Sequence, residues 1–213
     1  MKPLPKLIFW DWNGTLLNDT GVCVQAMNDM LSKRKMPTIE EGYYKSVFGF
    51  PVKHYYQHLG FRFEQENFED LSVEFIENYQ QHFHRASIQP YTVETLTHFK
   101  NKGVRQVIVS AMEQGMLNKQ VEEAKLNVFF EEVLGIQNIF AESKTHLALE
   151  FLANNSIESE SMLFVGDTLH DKEVSDALGI QAVLVSNGHQ SASRLRVNGN
   201  LVINNLKSLL DIR

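Results

Sequence analysis

Four apolar residues, Leu7-Ile8-Phe9-Trp10, run straight into Asp11, with a glycine three positions on at Gly14. A short unbroken apolar run closed by a turn residue predicts a strand buried on both faces. The period then changes. Between Asp19 and Lys35, the residues Val22, Cys23, Ala26, Met27, Met30 and Leu31 fall on one face of a helix, which Pro37 ends. Residues 38–86 read as helical throughout, divided into short helices by Gly42, Gly49-Phe50-Pro51 and Gly60. Phe68, Leu71, Phe75, Ile76, Tyr79 and Phe83 form a further stripe at helical spacing, which reads as core packing.

From Pro90 helices and short apolar strands alternate. Helices are predicted over Thr92–Lys102, Glu113–Lys125, Ser143–Asn154 and Asp171–Leu178. Strands are predicted at Val104–Val109, Val133-Leu134, Met162–Val165, Gln181–Val185 and Leu201–Ile203, with Ser110-Ala111 following the first of these. Such alternation predicts an α/β fold: a Rossmann-like parallel sheet with helices on both faces. One strand precedes the all-helical stretch and the others follow it. The expected organisation is therefore a core of residues 1–17 and 88–213, interrupted by an all-helical insert at 18–87.

The chain of 213 residues is 43% hydrophobic, enough for a packed core. Its net charge of −6 and isoelectric point near 5.8 argue against a nucleic-acid partner, which calls for a concentrated basic field. Cys23 is the single cysteine, so no intrachain disulfide or multi-cysteine metal site is expected; its place on a helical stripe predicts a buried thiol. Met1–Lys6 is too short for a leader ahead of the first strand, and no apolar run approaches the roughly 20 residues that span a bilayer. No membrane partner is expected, and the cytoplasm is the expected location.

In open α/β sheets, ligands bind at the carboxyl ends of the strands. Asp11, Ser110, Lys144 and Asp167 lie at such ends or just beyond them. Phosphoryl transfer needs an in-line nucleophile, a cation, donors for the equatorial oxygens and a proton for the leaving group. Asp11 can attack phosphorus, as carboxylates elsewhere do. Asp167 can hold a hard cation such as Mg²⁺. Ser110 and neighbouring main-chain N–H groups can bind phosphate oxygens, and Lys144 can balance the charge.

Four segments carry a family resemblance: Asp11-Trp12-Asn13-Gly14-Thr15, Val107-Ile108-Val109-Ser110-Ala111, Ser143-Lys144, and Gly166-Asp167-Thr168-Leu169-His170-Asp171. In this order the chain resembles haloacid dehalogenase superfamily hydrolases, in the phosphoglycolate phosphatase-like branch with a helical cap. The resemblance implies a Mg²⁺-dependent phosphatase acting on a small phosphorylated metabolite through an aspartyl-phosphate. By it, Asp11 is nucleophile and metal ligand, Asp167 is a second ligand, and Asn13 binds metal through its main-chain carbonyl. It further makes Ser110 and the main chain at Ala111 a phosphate site, Lys144 the balancing cation, and Thr15 a hydrogen-bonding partner of the nucleophile. Asp171 is to ligate the metal, or orient its water or Lys144. Monomer and homodimer are left open.

The sequence departs from the family at one position. Phosphatases of this family carry an aspartate two residues after the nucleophile, which protonates the leaving alcohol; here Asn13 stands there. An amide cannot do general acid–base work, which contributes about 10²–10⁴-fold. His170, in the fourth motif, and His54, in the cap, are candidate substitute acids. A leaving group that needs no acid, such as an acyl phosphate, is a second explanation. A third is phosphonatase-like chemistry, in which Trp12 matches and a cap lysine, here Lys53, forms a Schiff base; the segment Gly49–His54 resembles instead the substrate-specificity segment of phosphoglycolate phosphatase-like caps, which makes Lys53 a substrate-contacting or solvated cap residue. A weakly catalytic phospho-ligand-binding protein is a fourth. His189, after the penultimate strand, is a candidate for the rim of the site.

Overall fold

The computed structural model describes residues 4–140, 143–155 and 157–211. Residues 1–3, on which the leader reading partly falls, lie outside the described residues. The strands are β1 (Leu7–Trp10), β2 (Leu17–Asn18), β3 (Ser87–Ile88), β4 (Arg105–Glu113), β5 (Glu132–Ile136), β6 (Met162–Gly166), β7 (Gln181–Val185) and β8 (Val202–Ile203). The α-helices are α1 (Thr20–Lys33), α2 (Glu41–Val47), α3 (Val52–Leu59), α4 (Phe68–His82), α5 (Thr92–Asn101), α6 (Gln114–Glu123), α7 (Thr145–Ala153), α8 (Leu169–Ala177) and α9 (Ala192–Leu195).

Six strands form one parallel sheet in the order β5-β4-β1-β6-β7-β8. β1 lies inside it, between β4 and β6, so its residues are buried on both faces. Alternation along β1 divides the core. Ile8 and Trp10 pack on one face with Leu96 and Phe99 of α5 and Leu117 of α6. Leu7 and Phe9 pack on the other with Ala148 and Phe151 of α7 and Val174 of α8. Each fully buried large apolar side chain contributes on the order of 1.5–3 kcal/mol. The chain passes from β1 to β4 and β5 on one side, then crosses to β6 on the other. This reversal opens a crevice at the carboxyl end of β1.

Helices α1–α4 form an insertion with an apolar cluster of its own, which includes Val22, Met27, Met30, Tyr44, Tyr56, Leu71 and Tyr79. Cys23 is buried in it. The chain leaves and re-enters the core through a short antiparallel ribbon, Leu17–Asn18 against Ser87–Ile88. Among the described residues, no helix is long and apolar enough to cross a membrane.

Several element limits differ from the sequence expectations. The 38–86 stretch is three helices separated by loops, with a 3-10 turn running directly on from the third, and Gly60 closes α3 at φ 103°. β4 does not stop at Val109; it runs through Ser110-Ala111 to Glu113, with a register shift against β5. The Glu113 side chain then accepts from the N–H groups of Gly115 and Met116, capping α6. α8 begins at Leu169, because Thr168 and Asp171 form a reciprocal capping box there.

Candidate active site

β1 delivers Asp11 to the carboxyl edge of the sheet. The Asp11 N–H still donates to the Val165 carbonyl (2.9 Å), which extends the β1–β6 pairing to the rim. The chain then turns sharply. Gly14 has φ 77°, and the N–H groups of Leu16 and Leu17 both donate back to the Trp12 carbonyl (3.0 Å each). A side chain at Gly14 would strike Asp167 and His189, and one at Gly188 would strike Asp167. Both positions therefore need glycine for close approach.

Asp167 follows β6 and is fully buried. The Thr15 hydroxyl stands between two carboxylates, 3.2 Å from Asp11 Oδ2 and 3.0 Å from Asp167 Oδ1. Lys144, the residue before α7, is also buried. Its Nζ contacts Asp11 Oδ1 and lies 2.7 Å from Asp171 Oδ1. The other Asp171 oxygen accepts from the N–H of Asp167 (3.1 Å), the N–H of Thr168 (2.9 Å) and the Thr168 hydroxyl (2.7 Å). Asp171 thus orients Lys144. One oxygen each from Asp11, Asp167 and Asp171 lie within 4.8 Å of one another.

Three buried carboxylates face one ammonium group. Burial, together with Asp171 and Asp167, pushes the Asp11 carboxyl well up despite Lys144. Burial, together with Asp171, pushes Asp167 up to about 6. For Asp171, burial acts upward but Lys144 and Thr168 outweigh it, and the group is lowered. Burial works against the Lys144 ammonium, yet Asp11 and Asp171 hold its pKa above the usual lysine value. A divalent cation would relieve this excess of negative charge, and hard carboxylate oxygens suit Mg²⁺. The acidic cluster therefore fits such an ion.

Asn13 does not point at this cluster. Its amide donates to Asp19 Oδ2 (2.7 Å) and lies 3.3 Å from the Tyr79 hydroxyl. Asp19 is fully buried and also accepts from the Gly14 N–H (3.0 Å), the Tyr79 hydroxyl (2.8 Å) and His189 Nε2 (3.2 Å). Burial works against the Asp19 carboxylate, but His189, Asn13 and Tyr79 overcome it and lower its pKa. For His189, burial acts downward, yet Asp19 and then Asp167 and Asp11 raise it to about 9. The imidazolium donates through Nδ1 to Tyr44 Oη (2.9 Å), and the His189 N–H donates to Asp167 Oδ2. His189 thus lines the cavity as a buried bridge between the insertion, the first loop and Asp167.

Ser110 and Ala111 line the same cavity, and the Ser110 hydroxyl accepts from the Met112 N–H (3.1 Å). His170 also lines it, stacked on Phe50 of the insertion with ring centroids 4.6 Å apart. Lys53 and His54 require a correction. Both are exposed and neither lines the cavity; Lys53 lies over the rings of Phe63 (5.0 Å) and Phe68 (5.9 Å). The apolar stripe Val52, Tyr55, Tyr56, Leu59 turns inward, so α3 carries its two polar neighbours outward. A Schiff-base lysine has to reach the cavity, and Lys53 is not among the residues that line it. Trp12 is a core residue whose indole N–H donates to Gln120 Oε1 (2.8 Å).

Sequence reasoning missed Asp19. Its position before α1 suggests an N-cap, but its side chain makes no cap bond and turns into the site. Gln190 was also missed. It accepts from the Leu169 N–H (2.9 Å) and donates to the Phe48 carbonyl (3.0 Å), tying the insertion to the core.

Among curated proteins, phosphoglycolate phosphatase 1 of Pseudomonas aeruginosa is 24% identical, over 97% of this chain and 79% of its own length. A phosphoglycolate phosphatase of Aliivibrio fischeri is 26% identical, over 86% of this chain and 85% of its own. Two solved structures share the fold. A haloacid dehalogenase-like family hydrolase of Streptococcus pneumoniae has a TM-score of 0.71 and 16% identity, covering 99% of this chain and 98% of that one. Protein Tyrosine Kinase A of Mycobacterium tuberculosis has a TM-score of 0.80 and 20% identity, covering 98% and 99% respectively. The sequence pattern of the haloacid dehalogenase-like hydrolases matches residues 8–185, from β1 through β7, and with the strand-edge acids in place the chain belongs to that family.

Proposed function

We propose that this hydrolase is a Mg²⁺-dependent phosphatase that cleaves a small phosphate monoester through an aspartyl-phosphate. The observation that carries the reading is the pairing of Asp11 with Lys144 at the strand edge, beside Asp167. An Asp11 carboxylate oxygen attacks phosphorus, and the bond from phosphorus to the alcohol oxygen breaks. The leaving oxygen keeps the bonding electrons and takes up a proton. Water then attacks the phosphorus, the bond to Asp11 breaks, inorganic phosphate leaves and the carboxylate is restored.

Lys144 balances charge on the nucleophile and the transferring group, and Asp171 holds it in place. Ser110 and the main chain at Ala111 bind phosphoryl oxygens. Mg²⁺, held by Asp11, Asp167 and the Asn13 main-chain carbonyl, would neutralise phosphoryl charge when bound. The insertion, with limits at 18–87, acts as a cap that closes over the leaving group and excludes water. The phosphoglycolate phosphatases among the relatives support a phosphate-ester substrate.

The test is phosphate release from a panel of small phosphate monoesters with and without Mg²⁺, beside Asp11→Asn. Release that needs both the metal and Asp11 is expected. Equal release from Asp11→Asn would overturn the reading.

A further inference from the structure

The cavity over Asp11 says what kind of alcohol the site is built to release. It has a volume of about 160 Å³ and runs from Asp11, Lys144 and Asp167 into the helical insertion. Tyr44, Phe48, Phe50, Tyr55, Phe75 and Tyr79 of the insertion line it. An apolar cavity of about 150 Å³ is known to take benzene. Flat aromatic walls favour an aromatic ring in stacked or edge-on contact.

The charges point the same way. Among the described lining residues, Lys144 is the only lysine or arginine. It is committed to Asp11 and Asp171. Both ring nitrogens of His189 are taken up, Nε2 by Asp19 (3.2 Å) and Nδ1 by Tyr44 Oη (2.9 Å). Glu113 adds a further acid to the lining. A leaving group carrying its own carboxylate or second phosphate would therefore meet no uncommitted lysine or arginine, only the partnerless His170 Nε2 and Tyr55 Oη, and so poorly paired a buried charge is disfavoured.

Asn13 supplies an independent argument. Its amide is fixed as a donor to Asp19 and cannot hand a proton to a leaving alkoxide, which leaves that task to solvent or to His170, whose ring stacks on Phe50 with Nδ1 3.1 Å from Glu173. An alkoxide needs one, since aliphatic hydroxyls are about as weakly acidic as water itself. A phenolate, with a pKa of about 10, departs with far less help. We infer that the substrate is an aryl phosphate monoester whose ring carries no second anionic group, an inference that rests on the phosphatase reading above.

Two measurements test it on the intact protein with Mg²⁺. The first compares kcat/KM for phenyl phosphate, acetyl phosphate and 2-phosphoglycolate. Phenyl phosphate is expected to exceed 2-phosphoglycolate by about 100-fold, the penalty for one buried charge with no cationic partner. A ratio within about threefold, or acetyl phosphate as the best of the three, would overturn the inference while leaving the phosphatase reading intact. The second measures binding of phenylphosphonate and phosphonoacetate by calorimetry, which needs no turnover. Tighter phenylphosphonate is expected, and tighter phosphonoacetate overturns the inference. Absence of turnover with any ester, with phenylphosphonate still preferred, overturns the phosphatase reading and keeps the ligand class. In Ile76→Arg, a cation is added to the half-buried cap wall. The preference for phenyl phosphate over 2-phosphoglycolate should then fall about tenfold, and an unchanged preference counts against the charge argument.

Discussion

The Asn13 amide donates to Asp19 Oδ2 at 2.7 Å, which fixes a group that cannot titrate where the family places an acid. The arrangement makes Asn13→Asp informative. The new carboxyl would lie against the buried Asp19, and like charges that close share a proton. The variant would thus carry a protonated acid beside the nucleophile. Turnover of an alkyl ester such as glycerol phosphate should rise by about tenfold or more, and that of phenyl phosphate much less. Steady-state kinetics on both esters checks this, and equal gains would dissociate Asn13 from leaving-group protonation.

Lys144→Met removes the only ammonium between Asp11 and Asp171. Breaking a buried pair by removing one partner costs about 3–5 kcal/mol, because the remaining charges are left uncompensated. Metal-free protein should lose stability on that scale in urea titrations. Phosphate release should fall by about 10²–10³-fold. A variant of wild-type stability would mean that the carboxylates are not charged in the folded state.

β1 and β6 were legible because a strand buried on both faces is written as an unbroken apolar run, as in Leu7–Trp10 and Met162–Val165. The acids ending them followed from where parallel strands deliver their residues. β4 was cut short because Ser110 and Glu113 are polar, yet pairing to the edge strand β5 carries the backbone through them. Lys53 was placed by motif context, although the inward stripe of α3 already assigned it to the outer face. Asp19 reads as the start of a helical stretch and His189 as a rim candidate because what makes them a pair is tertiary. They meet only when the loop after β7 folds over the start of α1.

The Asp19–His189 pair should give stability a pH dependence of definite sign. His189 titrates near 9 in the folded protein, against an ordinary 6.5. A raised folded value means that the stabilisation is fully present below about 6.5 and is lost as pH rises through about 9. The shift corresponds to on the order of 3 kcal/mol. Unfolding free energy of metal-free protein should therefore decline between pH 6.5 and 9, and His189→Gln should flatten that decline. Parallel curves for the two proteins would show that the imidazole is neutral when folded.

Asp167 should behave oppositely. Burial and Asp171 hold its carboxyl near 6, above the ordinary 3.8, so in metal-free protein at pH 7 its charge is a destabilising term. Asp167→Asn removes that charge while keeping a carbonyl oxygen that can accept from the His189 N–H. Metal-free Asp167→Asn should melt no lower than wild type. Mg²⁺ should raise the wild-type melting temperature, because an ion bound only by the folded state stabilises it; at 100 times Kd the gain is about 2.7 kcal/mol. Asp167→Asn should lose most of that gain, since the ion would no longer meet two carboxylates at its core. Thermal melts of both proteins, with chelator and across a Mg²⁺ series, separate the terms. A variant that melts lower without metal yet gains as much from Mg²⁺ would place the ion away from Asp167 and detach the acidic cluster from metal binding.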